Sequence, residues 1–251
     1  MKAIIVAAGP GSRLNPFTND RPKCLLDVGG QTILERALQA LRENGIENIV
    51  VVRGYQGHLI NYANVTYCHN PYFGKNNILR SLFYAEDEMD DAFIFSYSDI
   101  LYSSEIVARL IDSEADIALT VDVNWTQAYE GRDQHPVSEA ELVKVKNGRV
   151  VRIGKGVVSP EEAYGEFIGL AKFTRSASEA MKAAYHRVAK EGPTAPFQCA
   201  ASLEKAYMTD MIQELVDNGS LVQGIDIEGG WIEIDTPQDL ERARSHFGAQ
   251  S

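Results

Sequence analysis

The chain has 251 residues, 45% of them hydrophobic and 24% charged, with a formal net charge of −11. That length buries a full core, most simply as one large α/β domain. The acidic balance excludes a general nucleic-acid surface, which needs a basic face, and no apolar run approaches the ~18 residues of a membrane span.

Residues 2–6 (Lys-Ala-Ile-Ile-Val) read as a strand, not a signal peptide: glycines and helix-like sequence follow at once. The strand empties into Ala7-Ala-Gly-Pro-Gly-Ser-Arg13, with Arg21-Pro-Lys23 shortly after. Small residues after a strand let backbone N–H groups point at a phosphate, and Arg13 and Lys23 add positive charge. The loop lacks the Gly-Lys-Ser/Thr ending of a Walker A motif and the third glycine of a dinucleotide fingerprint.

Residues 32–43 carry apolar positions at helical spacing, stopped by Asn44-Gly45. Strands are predicted over 48–53 and 65–68, a helix over 77–85, and a buried strand over 92–96 that ends just before Asp99. A helix over 105–112 and a strand over 116–121 follow. This alternation predicts a mostly parallel sheet with right-handed crossovers. Residues 125–138 are polar and aromatic without a period, and read as loop. Asn147-Gly148 between β-prone runs 141–146 and 149–153 is a hairpin signal. The strand at 165–173 carries glycines, which suit a close approach. Helices are predicted over 176–191 and 200–217, short strands over 221–227 and 231–234, and a last helix opened by Pro237. Cys24, Cys68 and Cys199 are odd in number and have no CxxC spacing, so they read as free thiols of a reducing cytoplasm.

Asp99, just past a buried strand, lies where α/β proteins place ligands. Glu233 and Asp235 alternate onto one strand face, where two acids repel unless a cation sits between them. Asparagine before an apolar-periodic run, as at Asn76-Asn77, is an ordinary helix N-cap. Lys155 would suit an anion, with Arg132 a weaker choice, and Glu166, Asp210, Trp125 and Tyr129 would suit a cation through carboxylates or aromatic faces. His69 and His135 have no partner that spacing identifies.

Taken together, 2–14 (Lys-Ala-Ile-Ile-Val-Ala-Ala-Gly-Pro-Gly-Ser-Arg-Leu) and 21–25 (Arg-Pro-Lys-Cys-Leu) resemble the signature of the nucleotidyltransferases that activate sugar phosphates and phosphocholine. The resemblance runs over most of the chain. It implies a Rossmann-like three-layer α/β fold, with a mostly parallel mixed sheet and a small β-hairpin/helical lid extension. It implies that the loop (Ala7, Ala8, Gly9, Gly11, Ser12) holds a nucleoside triphosphate, that Arg13 and Lys23 act on its phosphates, and that Asp99 and Asp235, with Glu233 third, bind Mg²⁺. Asn76, Asn77 and Ser81 resemble a stretch of the phosphocholine and phosphonate cytidylyltransferases. Ser98-Asp99 departs from the Gly-Asp of sugar-specific relatives. Both features favour CTP as nucleotide and a small phosphonate or phosphate monoester as acceptor, of the 2-aminoethyl- or 2-hydroxyethylphosphonate type. Phosphocholine, a sugar 1-phosphate, and a non-catalytic nucleotide-binding regulatory subunit are the alternatives. The expected organisation is a single domain, 1–251, monomeric or homodimeric and cytoplasmic. It comprises a nucleotide-binding core (1–122), an acceptor-binding and lid part (123–230), and a metal-binding strand with C-terminal helix (231–251).

Overall fold

The computed structural model describes residues 1–192 and 194–248. Strand β1 (Lys2–Ala7) is buried from end to end apart from Lys2, and its side chains alternate between two cores. Ile4 and Val6 join one core, and Ala3, Ile5 and Ala7 the other. A strand buried on both faces needs a layer of helices on each side, and this is why the run is apolar at every position.

The strands that follow are a two-residue pair, β2 (Asp27–Val28) and β3 (Gln31–Thr32), then β4 (Ile49–Arg53) and β5 (Val65–His69). Helix α1 (Ile33–Glu43) lies between β3 and β4 and starts on a capping box. Thr32 Oγ1 accepts from the Glu35 N–H, and the Glu35 carboxylate accepts from the Thr32 N–H. Helix α2 (Ile78–Leu82) is shorter than the predicted 77–85; the chain tightens into a 3₁₀ turn from Phe83. Next come β6 (Phe93–Tyr97), β7 (Ile100–Tyr102), α3 (Ser104–Asp112) and β8 (Ile117–Asp122). The stretch read as loop contains one short helix, α4 (Thr126–Tyr129). The hairpin forms as predicted from β9 (Glu141–Lys146) and β10 (Arg149–Lys155). Strand β11 (Gly165–Phe173), helix α5 (Arg175–Ala189), helix α6 (Met208–Asp217), strands β12 (Val222–Ile227) and β13 (Trp231–Glu233), and helix α7 (Pro237–Gly248) complete the chain.

The main sheet has nine strands, in the order β10-β9-β11-β6-β1-β4-β5, with β8 on β11 and β12 on β8. Its parallel half is the predicted one: β6, β1, β4 and β5. The other half differs from the expectation, because β11 inserts between β6 and β8 and runs antiparallel to both, and to β9. Four of the eight pairings are therefore antiparallel, in a mixed sheet. Sequence alternation reports which segments are strands but not which strand lies between two others.

The predicted helix over 200–217 is confined to α6. Tyr207 is extended, and Asp210 accepts from the Tyr207 N–H at 2.7 Å, so the helix begins there. Before it, Leu203–Lys205 makes only a 3₁₀ turn.

The glycines of β11 do admit a close approach. Gly169 has φ +87°, and a Cβ there would run into the Tyr97 ring. Gly169→Ala is expected to destabilise the fold by about 2 kcal/mol or more, through positive-φ strain plus displacement of that ring. Denaturant unfolding measures it.

Candidate active site

A third, smaller core explains how the ends of the chain meet. Leu14, Leu26, Val28 and Ile33 pack against Leu101, Ile234, Leu240 and Ala243. This clamps the glycine loop onto β13 and α7. Strand β13 pairs antiparallel with β7, Glu233 opposite Ile100, and the Ile234 N–H donates to the Asp99 carbonyl at 2.9 Å. Asp235 is thereby set beside Asp99.

The glycine loop is held by its own bonds. Thr18 Oγ1 donates to the Gly11 carbonyl at 2.9 Å. Gly11 has φ +61°, and a Cβ there would sit 2.8 Å from Lys23 Cβ, so glycine is what lets Lys23 pass under the loop. Lys23 Nζ lies 2.9 Å from Asp99 Oδ2 and also pairs with Asp235 Oδ1. Arg13 Nη2 donates to Asp235 Oδ2 at 2.5 Å. Burial disfavours charge on Lys23, but Asp99 and Asp235 outweigh it and raise the ammonium above its usual range. Burial likewise opposes the Asp235 carboxylate, and Lys23 and Arg13 more than reverse this, holding it well below the usual range.

These groups face a cavity of about 430 Å³. Gly9, Gly11, Ser12, Arg13, Lys23, Asn77, Asp99, Lys155, Glu166, Glu233 and Asp235 all line it. The remaining predicted site residues are elsewhere, each for a definite reason. Ala7 lines a smaller adjoining cavity beneath the loop, and Ala8 is buried, its carbonyl taking the Tyr55 N–H. Asn76 and Ser81 both bond to the buried Asn70 side chain and brace the start of α2. Asp210 caps α6 and accepts from the Cys199 N–H as well. Trp125 is buried among Ala140, Leu142 and Val158, with Tyr129 edge-on. Tyr129 reaches the site only through its hydroxyl, which donates to Glu166 Oε1 at 2.6 Å. Arg132 offers no free charge to an anion: it is locked to Asp239 at 2.6 Å and Glu233 at 3.0 Å.

Sequence reasoning missed four participants. His135 is buried, with Nε2 3.4 Å from Glu233 and Nδ1 3.5 Å from Asp235. Burial, then Arg132, lowers it to about 4, so it is neutral near pH 7. The other three are Glu139, Glu141 and Tyr207, which line the cavity. Glu139 lies 3.2 Å from Lys155 and 3.7 Å from Arg13. Lys155 Nζ sits 4.8 Å over the Tyr207 ring. No local pattern marks any of them; His135 lies in an aperiodic stretch and Glu141 begins an ordinary hairpin strand.

Glu141 is buried, accepts from Tyr97 Oη at 2.9 Å, and is pushed up to about 7 by burial. A carboxyl whose folded pKa lies above its ordinary 4.5 holds a proton that the unfolded chain has already lost. Its contribution therefore falls as pH rises from about 4.5 to about 7. Glu141→Gln is expected to be more stable than the parent at pH 8, by on the order of 2 kcal/mol, with the gap closing towards pH 5. Melting temperatures across that range test it.

A glycine loop bearing two cations is thus ion-paired to two carboxylates just past strand ends, on the wall of one cavity. The sequence pattern of the MobA-like NTP transferase domain matches residues 3–147. The CTP:phosphoglutamine cytidylyltransferase of Campylobacter jejuni is 32% identical over 96% of this chain and 98% of its own length. The UTP–glucose-1-phosphate uridylyltransferase of Haloferax volcanii is 26% identical over 98% of this chain and 96% of its own. The solved CTP:phosphocholine cytidylyltransferase of Streptococcus pneumoniae shares the fold, with a TM-score of 0.75 at 21% identity, over 98% of each chain. The chain belongs to the MobA-like NTP transferase family of nucleotidyltransferases. No helix among the described residues is long and apolar enough to cross a membrane.

Proposed function

We propose that this nucleotidyltransferase moves CMP from CTP to an oxygen of a small phosphonate or phosphate monoester and releases pyrophosphate. The observation that carries the reading is the convergence of Arg13 and Lys23 with Asp99 and Asp235 on one wall of a single cavity. The choice of CTP is supported by the Campylobacter relative, whose name specifies it, and by Asn77 on the cavity wall.

The acceptor oxygen is already anionic at neutral pH, so no general base is required. It forms a bond to the α-phosphorus as the bond to the bridging oxygen breaks, and that electron pair leaves on pyrophosphate. Catalysis then comes from alignment and charge neutralisation. Arg13 and Lys23 supply fixed positive charge to the α-phosphate and the leaving group. Asp99 and Asp235 fit Mg²⁺: they offer hard oxygen donors side by side, and Asp99 Oδ1 is buried with no hydrogen-bond partner among the described residues. Bound there, the ion would supply further charge neutralisation to the phosphates. Glu233 is the weaker third donor, because Arg132 already holds it. We read the molecule as a single domain with the nucleotide side in 1–122, the acceptor side in 123–230 and the carboxylate strand after it.

Pyrophosphate release measured with CTP, UTP and dTTP across phosphoethanolamine, 2-aminoethylphosphonate, phosphocholine and glucose 1-phosphate tests this. CTP with a small phosphorus acceptor is expected to be fastest. Turnover confined to UTP or dTTP with glucose 1-phosphate would overturn it in favour of a sugar enzyme. Absence of turnover throughout would favour a regulatory subunit.

A further inference from the structure

His135 lies in the aperiodic stretch between β8 and β9, yet its ring is buried, at 2% exposed, between Glu233 and Asp235. Nε2 is 3.4 Å from Glu233 Oε2, and Nδ1 is 3.5 Å from Asp235 Oδ2. Both spacings exceed those of a hydrogen bond to a charged group. Among the described residues neither ring nitrogen has a hydrogen-bond partner. A neutral imidazole carries one N–H and one lone pair, and a carboxylate only accepts. The lone pair therefore meets other lone pairs in a buried place, which costs free energy unless a cation stands between them.

The three side chains are close enough to share one ion. One donor atom from each falls within 4.8 Å of the others, and among the described residues no other group of three His, Cys, Asp or Glu side chains does so. Donors on opposite sides of an ion bound at ~2.0–2.2 Å lie up to about 4.4 Å apart, so a small shift closes the site. Asp99 is outside this group. Asp235 divides between the two sides: Oδ1 meets Lys23, which Asp99 shares, and Oδ2 meets Arg13 and His135. The guanidinium contacts do not use up the donors. Arg132 binds Glu233 Oε2 at 3.0 Å, but Asp239 at 2.6 Å answers its charge. A carboxylate oxygen can take a hydrogen bond on one lone pair and a metal on the other, and ligating carboxylates are ordinarily hydrogen-bonded in this way.

We propose that His135, Glu233 and Asp235 form a binding site for a late first-row divalent cation such as Zn²⁺ or Co²⁺, separate from the Asp99 side proposed for Mg²⁺. The inference does not depend on which nucleotide or acceptor the protein uses. The imidazole nitrogen sets the class of ion: all-oxygen donors suit Mg²⁺, whereas a nitrogen beside two carboxylates suits zinc and its neighbours. An ion held there would fasten the stretch carrying His135 to the end of β13. Glu233 and Asp235 also line the cavity, so it would add positive charge at that wall.

The test strips the full chain with a chelator and titrates it with Zn²⁺ against a chromophoric competitor, without nucleotide. One Zn²⁺ per chain is expected, resistant to about a thousandfold excess of Mg²⁺. His135→Gln should weaken binding at least about 100-fold, more than loss of an outer-shell contact does, while Asp99→Asn leaves it intact. X-ray absorption at the zinc edge of the loaded parent should show the outer-shell scattering of an imidazole ring, a readout that needs no variant to fold. The site is overturned by any of four results: no Zn²⁺ uptake, uptake unchanged in a folded His135→Gln, displacement by Mg²⁺ or loss in Asp99→Asn, or zinc bound without imidazole scattering. Nucleotidyl transfer is scored separately by pyrophosphate release, so each of these outcomes leaves the proposed reaction standing.

Discussion

Lys23→Ala is expected to lower kcat by about 10²–10³-fold or more, the scale seen when one preorganised charge-stabilising donor is removed. Lys23 is the best-placed cation of the cavity, inserted between Asp99 and Asp235 beneath the glycine loop. Its loss leaves those two carboxylates facing each other with only Arg13 to answer Asp235. The variant should therefore also melt lower at neutral pH, since breaking one side of a buried pair exposes the other to its full desolvation cost. The sign with pH is definite. Asp235 is held below its ordinary pKa in the fold, so its contribution is present above the ordinary carboxylate range and fades as pH falls through the folded value. The melting difference between Lys23→Ala and the parent should be largest near pH 7 and smaller in acid. Activity is to be measured per folded molecule, with circular dichroism as the check. A folded Lys23→Ala enzyme with near-normal kcat removes Lys23 from the transition state.

Asp99→Asn is the second large effect and the cleaner probe of the carboxylate pair. Asp235 is tied to both Lys23 and Arg13, so changing it disturbs two cations together. Among the described residues Asp99 has one ion-pair partner, Lys23. The amide is isosteric and still accepts from Lys23, but it removes one full negative charge from the proposed Mg²⁺ site. The expected result is a steep rise in the Mg²⁺ concentration required and a loss of roughly 10² or more in kcat. Mn²⁺ binding followed by electron paramagnetic resonance in the presence of CTP gives a readout independent of turnover, and the variant should bind it more weakly. Normal activity at ordinary Mg²⁺ with undiminished Mn²⁺ binding rejects the assignment.

The first half of the chain was the more legible. Local signals were enough for β1, the Asn44-Gly45 stop of α1, the buried run before Asp99 and the Asn-Gly hairpin, because each depends on residues within a few positions of one another. Gly165 and Gly169 were readable as places of close approach, although not what approaches. The failures share a cause. The 200–217 helix was drawn too long because apolar spacing continues across Tyr207, while the actual start is decided by the Asp210 cap. Asp210 looked like a free acid for the same reason. Trp125 looked like a ligand face, but a cluster formed with the distant Leu142 and Val158 buries it.

By itself, then, the sequence determined the class of the protein. A phosphate-cradling loop needs small residues followed by a cation close in the chain, and that chemistry is written contiguously in 7–23. What only the tertiary structure decided is the balance of charge around the cavity. Asp235 meets Lys23 because β13 pairs with β7, His135 meets Glu233 and Asp235 across the fold, and Arg132 is consumed by Glu233 and Asp239. Coulomb interactions act through space between residues brought together by folding, so this balance becomes visible only when all the partners are in place.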